Sequence, residues 1–206
     1  MLTIGTREGG WAAVIGAAAL WAMYALMTLG TTGVVPPLRV LEDQHWLFHI
    51  LETPIMAVLT VGILALYRAQ RRAFGTLGKA GGYFSLFGYG YGAVGSVIIV
   101  AAELIAGVDT ATGLLDFLAH VPGFFPQTIG SLLFGIAALR AGVLPRAAAW
   151  PLAVGGGLQL LVSFSPAPQP LRLLVLLVLC LGWALLGYAL TTGARARAGQ
   201  PAPATA

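Results

Sequence analysis

The sequence contains little charge. Only 9% of its 206 residues are Asp, Glu, Lys or Arg, against about 25% in a typical soluble domain, and 58% are hydrophobic. With a mean hydropathy of +0.88, the chain lacks the charged side chains that a water-facing surface needs, which excludes a soluble enzyme and a chain that is disordered as a whole. Its eleven basic residues are thinly spread, so nucleic acid is not an expected partner. The composition predicts an integral membrane protein whose main partner is the lipid bilayer.

Cysteine and lysine are almost absent, and each scarcity excludes a class of site. Cys180 is the only cysteine, so no disulfide framework is available. Lys79 is the only lysine and lies in a polar turn, which excludes a retinal Schiff base inside the membrane. No Gly-x-Ser-x-Gly elbow is present, so a serine hydrolase has no support. His45 and His49 project from one face of one helix and cannot both be axial ligands of a haem, so only a pair such as His49 and His120 could hold one.

Long apolar runs dominate the chain, and no period-two alternation indicates strands. Six segments reach the length of about 20 apolar residues that a spanning helix needs: residues 11–30, 46–67, 82–105, 123–140, 147–165 and 171–191. We therefore expect an all-α, integral membrane bundle of six transmembrane helices in one domain, residues 1–191, followed by a disordered cytoplasmic tail, residues 192–206. The fourth span is crowded by Pro122 and Pro126. It begins near Gly123, or a short helix over residues 111–120 leads into it through a Pro-Gly break.

The basic residues indicate the orientation of the spans. With six spans, nine of them fall on one side: Arg7, Arg68, Arg71, Arg72, Lys79, Arg140, Arg146, Arg195 and Arg197. Only Arg39 and Arg172 fall on the other side. The positive-inside rule then places both termini in the cytoplasm and the chain in the cytoplasmic (inner) membrane as a multi-pass protein. The apolar stretch from Trp11 to Leu29 is longer than the core of a signal peptide, about 7–15 residues, so we expect it to be retained as the first span.

One segment resembles a known group of proteins. Residues 135–157 contain Leu-Arg-Ala-Gly-x-Leu-Pro-Arg followed by a Gly-rich span. This segment resembles a recurring stretch of uncharacterised six-span integral membrane proteins of high-GC bacteria. The resemblance covers little more than a tenth of the chain and implies a cytoplasmic turn between two spans. It implies no activity.

Acidic residues and histidines gather on the side opposite the basic residues. Of the seven carboxylates only Glu8 is cytoplasmic, and all three histidines lie with the other six. One pattern combines both residue types, Glu42-x-x-His45-x-x-x-His49-x-x-Glu52. At 100° per residue these four side chains fall within an arc of about 80° on one helix. Glu-x-x-His is also the ligand spacing of di-iron carboxylate bundles, although those bundles take each unit from a separate helix.

Three interpretations of this stripe remain open at the level of the sequence. In the first, the stripe holds a divalent metal. The candidate ligands are His45, His49 and Glu52, with His120 or Asp116 completing the site. In the second, His49 and Glu52 are a catalytic acid/base pair without a metal. In both, the supporting residues are Glu42, Glu103 and Asp116. In the third, residues 38–52 form an interfacial helix whose polar stripe faces water, and the true span begins at Pro54.

The sequence leaves three functions open. The first is a one-sided site near the outer leaflet that binds or transforms a small or lipid-soluble ligand. The second is a proton- or cation-coupled transporter or accessory subunit, but a transport path needs polar groups through the whole membrane, and the cytoplasmic half offers few. The third is a structural protein without a site. Gly88, Gly92 and Ser96 recur every four residues and predict close helix packing, within the chain or against a second copy or partner subunit.

Overall fold

The computed structural model describes residues 5–32, 34, 45–107 and 113–193. Within these residues the chain forms helices and no strand, which confirms the all-α prediction. The six helices are α1 (Thr6–Thr31), α2 (His45–Gln70), α3 (Thr76–Ala106), α4 (Leu114–Ala141), α5 (Arg146–Ser163) and α6 (Gln169–Thr191). Glu42, Asp43 and Asp109 lie outside the described residues, as do residues 38–44 of the suggested interfacial helix and the tail from residue 194.

Five of the helices are long and apolar enough to cross a membrane, which indicates a multi-pass membrane protein. The exception is α5. It has 18 residues, so it is about 27 Å long at 1.5 Å per residue, slightly shorter than a hydrocarbon core of about 30 Å. Arg146 and Gln159 lower its apolar character. The count of six spans is therefore a prediction still, although all six helices are present.

The helices form a closed ring. Each packs against the next along the chain, and α6 returns to pack against α1. Because neighbouring helices run in opposite directions, the starts of α2, α4 and α6 lie at one end of the bundle, which we call the site end. The opposite end carries the turns after α2 and α4, and we call it the basic end. The basic side chains at that end are Arg7, Arg68, Arg71, Arg72, Lys79, Arg140 and Arg146.

Glycines allow the helices to approach one another closely. Between α3 and α4, a Cβ at Gly88 would collide with the backbone of Gln127, and a Cβ at Gly95 would collide with the carbonyl of Ala119. Gly88, Gly92 and Ser96 are all buried within this one chain. The predicted close packing is thus an internal contact between helices. It corrects the suggestion that this face receives a second copy or a partner subunit.

Helix α4 is continuous through both of its prolines, rather than starting near Gly123 or breaking there. Pro122 has no N–H, so the carbonyl of Leu118 one turn earlier loses its helical partner. The Tyr91 hydroxyl of α3 donates to that carbonyl at 2.6 Å. A side chain of the neighbouring helix therefore replaces the missing bond. The extra turns bring residues 114–122 onto the same helix as the rest of the span.

Three large aromatic side chains fill the centre of the basic half. Tyr89, Phe134 and Trp183 come from α3, α4 and α6, and none has any exposed surface. The Trp183 indole Nε1 donates to the Tyr89 hydroxyl at 3.0 Å. The rings of Phe134 and Trp183 are 5.2 Å apart. We call these residues the aromatic plug, because their rings contact one another and are fully buried among the helices.

Candidate functional site

The polar stripe of α2 faces the interior of the bundle. His49 is 2% exposed and Glu52 only 1%, and α2 runs unbroken through Pro54 to Gln70. His45 lies one turn earlier, with 23% of its side chain exposed. From His45 onwards, the structure therefore contradicts the interpretation in which the polar stripe lies on an interfacial helix and faces water. A carboxylate inside a membrane protein should face the bundle and have partners, and Glu52 does both.

Glu52 accepts hydrogen bonds from three different helices. The Ser96 hydroxyl donates to Oε2 at 2.8 Å, and the Tyr24 hydroxyl donates to Oε1 at 3.2 Å. His49 Nδ1 lies 3.0 Å from the same Oε2. Since an ionised carboxylate only accepts, this arrangement satisfies Glu52 as an anion. It also fixes the orientation of the His49 ring.

His45 is oriented in the same way as His49. Its Nδ1 lies 2.8 Å from Oε1 of Glu103, which comes from the end of α3. Its Nε2 lies 3.2 Å from Nε2 of His49. Each of these two rings thus places Nδ1 on a carboxylate and turns Nε2 towards the other ring.

Helix α4 contributes the remaining two members. His120 Nδ1 lies 3.0 Å from Oδ1 of Asp116 and 3.1 Å from its backbone oxygen. His120 Nε2 is buried without a hydrogen-bond partner and lies 3.6 Å from Glu52 Oε2. The His120 ring stacks on His49, with 4.8 Å between ring centroids. Asp116 Oδ1 in turn lies 3.9 Å from His45 Nε2.

The contact between Nε2 of His45 and Nε2 of His49 lacks a hydrogen that either atom could donate to the other. Because Nδ1 of each ring faces an acceptor-only carboxylate, each Nδ1 carries a hydrogen. A neutral imidazole has one ring hydrogen, so Nε2 of both rings presents a lone pair. Two lone pairs facing each other at 3.2 Å repel. The contact becomes favourable when a cation lies between them or when one ring holds a second proton.

Two sets of three side chains have the spacing of a metal site. His45, His49 and Asp116 form one set, and His49, Glu52 and His120 form the other. In each set one ligand atom from every residue lies within 4.8 Å of the others. The two sets share His49. They differ in the state of their carboxylates, because Glu52 already accepts three bonds within the protein, whereas Asp116 is a third exposed and contacts histidine rings.

A cavity of about 280 Å³ adjoins the cluster and is bordered by all six helices. Glu52 and His120 line it on the cluster side. Its polar lining continues with Tyr24, Thr28, Gln127, Gln159, Gln169 and Arg172, and its apolar lining includes Leu20, Met56, Phe124 and Leu176. The lining includes Gly88, the chain neighbour of Tyr89 in the aromatic plug. The cavity therefore extends from the cluster to the level of the plug.

The structure brings together most of the residues singled out in the sequence. The connected cluster contains His45, His49, Glu52, Glu103, Asp116 and His120. Glu42 lies outside the described residues. Tyr24 and Ser96, which hold Glu52, were missed. Ser96 had been assigned to packing, and Tyr24 had no motif to mark it. Arg172, which lines the cavity, was also missed. Its rarity as a basic residue on this side of the membrane was a signal that could have marked it.

No protein-family model, no curated protein and no solved structure matches the chain.

Proposed function

We propose that this chain binds a divalent transition-metal ion in a one-sided membrane site and uses the ion to bind and activate a small ligand. The proposed ligands are His45 Nε2, His49 Nε2 and a carboxylate oxygen of Asp116. The observation that carries the proposal is the approach of the two Nε2 atoms to 3.2 Å while both Nδ1 atoms face carboxylates. An ion between the rings removes the repulsion between their lone pairs.

The spacing suits a metal of the size of zinc. With metal–nitrogen bonds of about 2.0–2.1 Å, two nitrogens 3.2 Å apart subtend about 100° at the metal. That angle is close to tetrahedral. Metal-bound histidines usually donate their other ring N–H to a carboxylate, and Glu103 and Glu52 take those positions for His45 and His49.

The charges of the cluster also favour a cation. Neither Glu52 nor Asp116 is paired with Lys or Arg within the described residues, and the histidines contribute no charge when neutral. Glu52 has the hydrogen bonds that a buried carboxylate needs, and Asp116 is a third exposed. The negative charge of these two groups favours a divalent ion beside them.

Two histidines and one carboxylate leave positions open on the metal, as in catalytic zinc sites and non-haem iron sites. The cavity borders Glu52 and His120, which both contact His49, so a small ligand in the cavity would lie beside the cluster. The aromatic plug supports a site entered from one side rather than a transport path. The distribution of basic residues supports an inner-membrane protein of six spans with cytoplasmic termini and an outward-facing site.

The proposal predicts about one metal ion per chain. Protein purified in detergent, reconstituted with zinc, iron(II) or manganese and freed of loose ions, is analysed for metal content. His49→Ala should abolish tight binding, and Asp116→Asn should weaken it at least tenfold, because each removes a ligand. Glu103→Gln, which alters the carboxylate on His45 Nδ1, should weaken binding by about 10–100-fold.

Two controls separate the proposed ligand set from the alternatives. Gln159→Ala changes the cavity lining without touching a ligand and should leave the metal content unchanged. His120→Ala also retains the metal if Asp116 is a ligand, but loses it if the second set, with Glu52 and His120, holds the ion. Absence of tightly bound metal from the reconstituted wild-type protein would refute the proposal.

The same contact favours a second candidate function, an acid/base site without metal. In that case one of the two rings holds an additional proton, which is shared between the Nε2 atoms of His45 and His49. Nitrogen-15 NMR of labelled histidine distinguishes the two states. A shared proton gives one doubly protonated ring whatever metal is added, whereas a metal site gives two Nδ1-protonated rings whose Nε2 resonances shift on zinc addition.

A further inference from the structure

Arg172 is the basic residue that the site end holds within the described part of the chain. It lies in the first turns of α6, where a positive charge opposes the helix dipole. Its side chain lines the cavity and is half-buried. A half-buried positive charge near the start of a helix is more stable when an anion lies beside it.

The bonds of Arg172 fix its guanidinium group without neutralising it. Nε donates to the carbonyl of Ala167 at 3.0 Å, and Nη2 donates to the carbonyl of Ser165 at 3.0 Å. Both carbonyls belong to the connection between α5 and α6. No carboxylate pairs with Arg172 among the described residues, and Nη1 has no hydrogen-bond partner there. The group is therefore held rigidly with donors to spare.

The rest of the cavity has two kinds of lining. The polar lining includes the amides of Gln159 and Gln169, and the Gln159 Oε1 atom is buried without a partner among the described residues. Leu173 and Leu176 add apolar surface beside it. A volume of about 280 Å³ equals roughly nine water molecules at about 30 Å³ each. This space suits a small molecule with one polar head and a short apolar part.

We propose that the cavity binds a small oxyanion attached to a short apolar group, such as a carboxylate or phosphate ester, with its anionic head on Arg172. The rigid guanidinium group supplies charge-assisted hydrogen bonds, which are stronger than neutral ones. The apolar part then lies among the leucines of α6 and points along the cavity, which continues to Glu52 and His120. This inference deepens the proposed function by naming the ligand class for the same site.

The test uses the full-length protein in nanodiscs of zwitterionic lipid and isothermal titration with three probes. Hexanoate has the charge and the apolar tail, hexanamide has the tail alone, and inorganic phosphate has the charge alone. Hexanoate should bind wild-type protein most tightly. Arg172→Gln should weaken hexanoate binding about tenfold or more, because it removes the charged donors. Arg146→Gln, a matched loss of charge at the basic end, should leave binding unchanged.

Arg172→Lys is the second variant, because Arg172→Gln also disturbs the connection between α5 and α6. A lysine keeps the charge, so it should retain more hexanoate affinity than the glutamine variant. A further arm uses nanodiscs that contain anionic lipid. Loss of the hexanoate signal there identifies a lipid headgroup as the source of the oxyanion, and its persistence identifies a free small molecule.

Metal content, measured on the same samples, separates this inference from the proposed function. If no sample contains metal but hexanoate binding still depends on Arg172, the metal proposal fails and the oxyanion site stands. If the metal is present while hexanoate binds the wild-type, Arg172→Gln and Arg172→Lys proteins equally, the oxyanion site is refuted. Equal binding of hexanamide and hexanoate would refute it as well.

Discussion

The two halves of the bundle use the same helices and fill their interiors differently. In the basic half, Tyr89, Phe134 and Trp183 occupy the centre with no exposed surface. In the site half, the same helices enclose a cavity and the His/carboxylate cluster. Close glycine contacts connect the helices in both halves. The comparison indicates that close contacts between helix backbones hold the ring together in both halves. The interior side chains of the site half are therefore not all needed for packing and can form a site.

The largest expected effect concerns the aromatic plug. Trp183→Ala removes a fully buried ring and should destabilise the protein by about 3–5 kcal/mol, whereas metal binding in the folded fraction should change little. Thermal unfolding in detergent and metal content measure the two effects. Trp150→Ala is the matched control, because Trp150 is 57% exposed, and it should change stability much less. Equal effects of the two variants would contradict the role of the plug.

The next effect concerns the site half. Glu52→Gln keeps the size of the side chain but places an amide donor where Ser96, Tyr24 and His49 all offer hydrogens. Metal affinity should fall by about 10–100-fold, because Glu52 orients His49, while the plug is left intact. Titration with zinc measures the affinity. Gln159→Ala, elsewhere in the cavity, serves as the control, and unchanged affinity in Glu52→Gln would remove Glu52 from the metal site.

The smallest effect concerns the junction between α3 and α4. Tyr91→Phe removes the hydroxyl that donates to the Leu118 carbonyl beside Pro122. The loss should reduce stability by about 1 kcal/mol, equivalent to a fall in melting temperature of roughly 2–4 °C for a chain of this length. Tyr188→Phe, whose ring is 54% exposed, should have a smaller effect. A melting temperature equal to that of the wild type would show that Tyr91 does not replace the missing bond.

The helical pattern and the stripe of α2 could be predicted because both depend on local spacing. Apolar runs mark the helices, and His45, His49 and Glu52 share a face whenever α2 is helical. The continuity of α4 could not be predicted, since it depends on Tyr91 of another helix. Likewise Tyr24 and Ser96 are 28 and 44 residues from Glu52 along the chain. Their contacts follow from which helices are neighbours in the ring, which one sequence does not specify.

The carboxylates near the histidines also show the difference between features that depend on local spacing and features that depend on packing between helices. From the sequence, Asp116 was only an alternative to His120 as the last metal ligand, and Glu103 had a supporting role, because both lie far along the chain from the stripe of α2. The structure places Asp116 beside His45 and Glu103 on its other nitrogen. The proposed division of the cluster into metal ligands and orienting carboxylates therefore depends on packing between α2, α3 and α4.

The closure of the ring has a consequence for the order of the helices along the chain. The start of α1 lies against the end of α6, where a Cβ at Gly10 would reach the carbonyl of Gly187 at 2.6 Å and Thr191. Residues 5 and 193 are therefore close enough for a short linker. A circular permutant that joins them and opens the turn between α2 and α3 keeps every contact between neighbouring helices. The cluster should form in it unchanged, because the site is a property of the closed ring and not of the point at which synthesis begins.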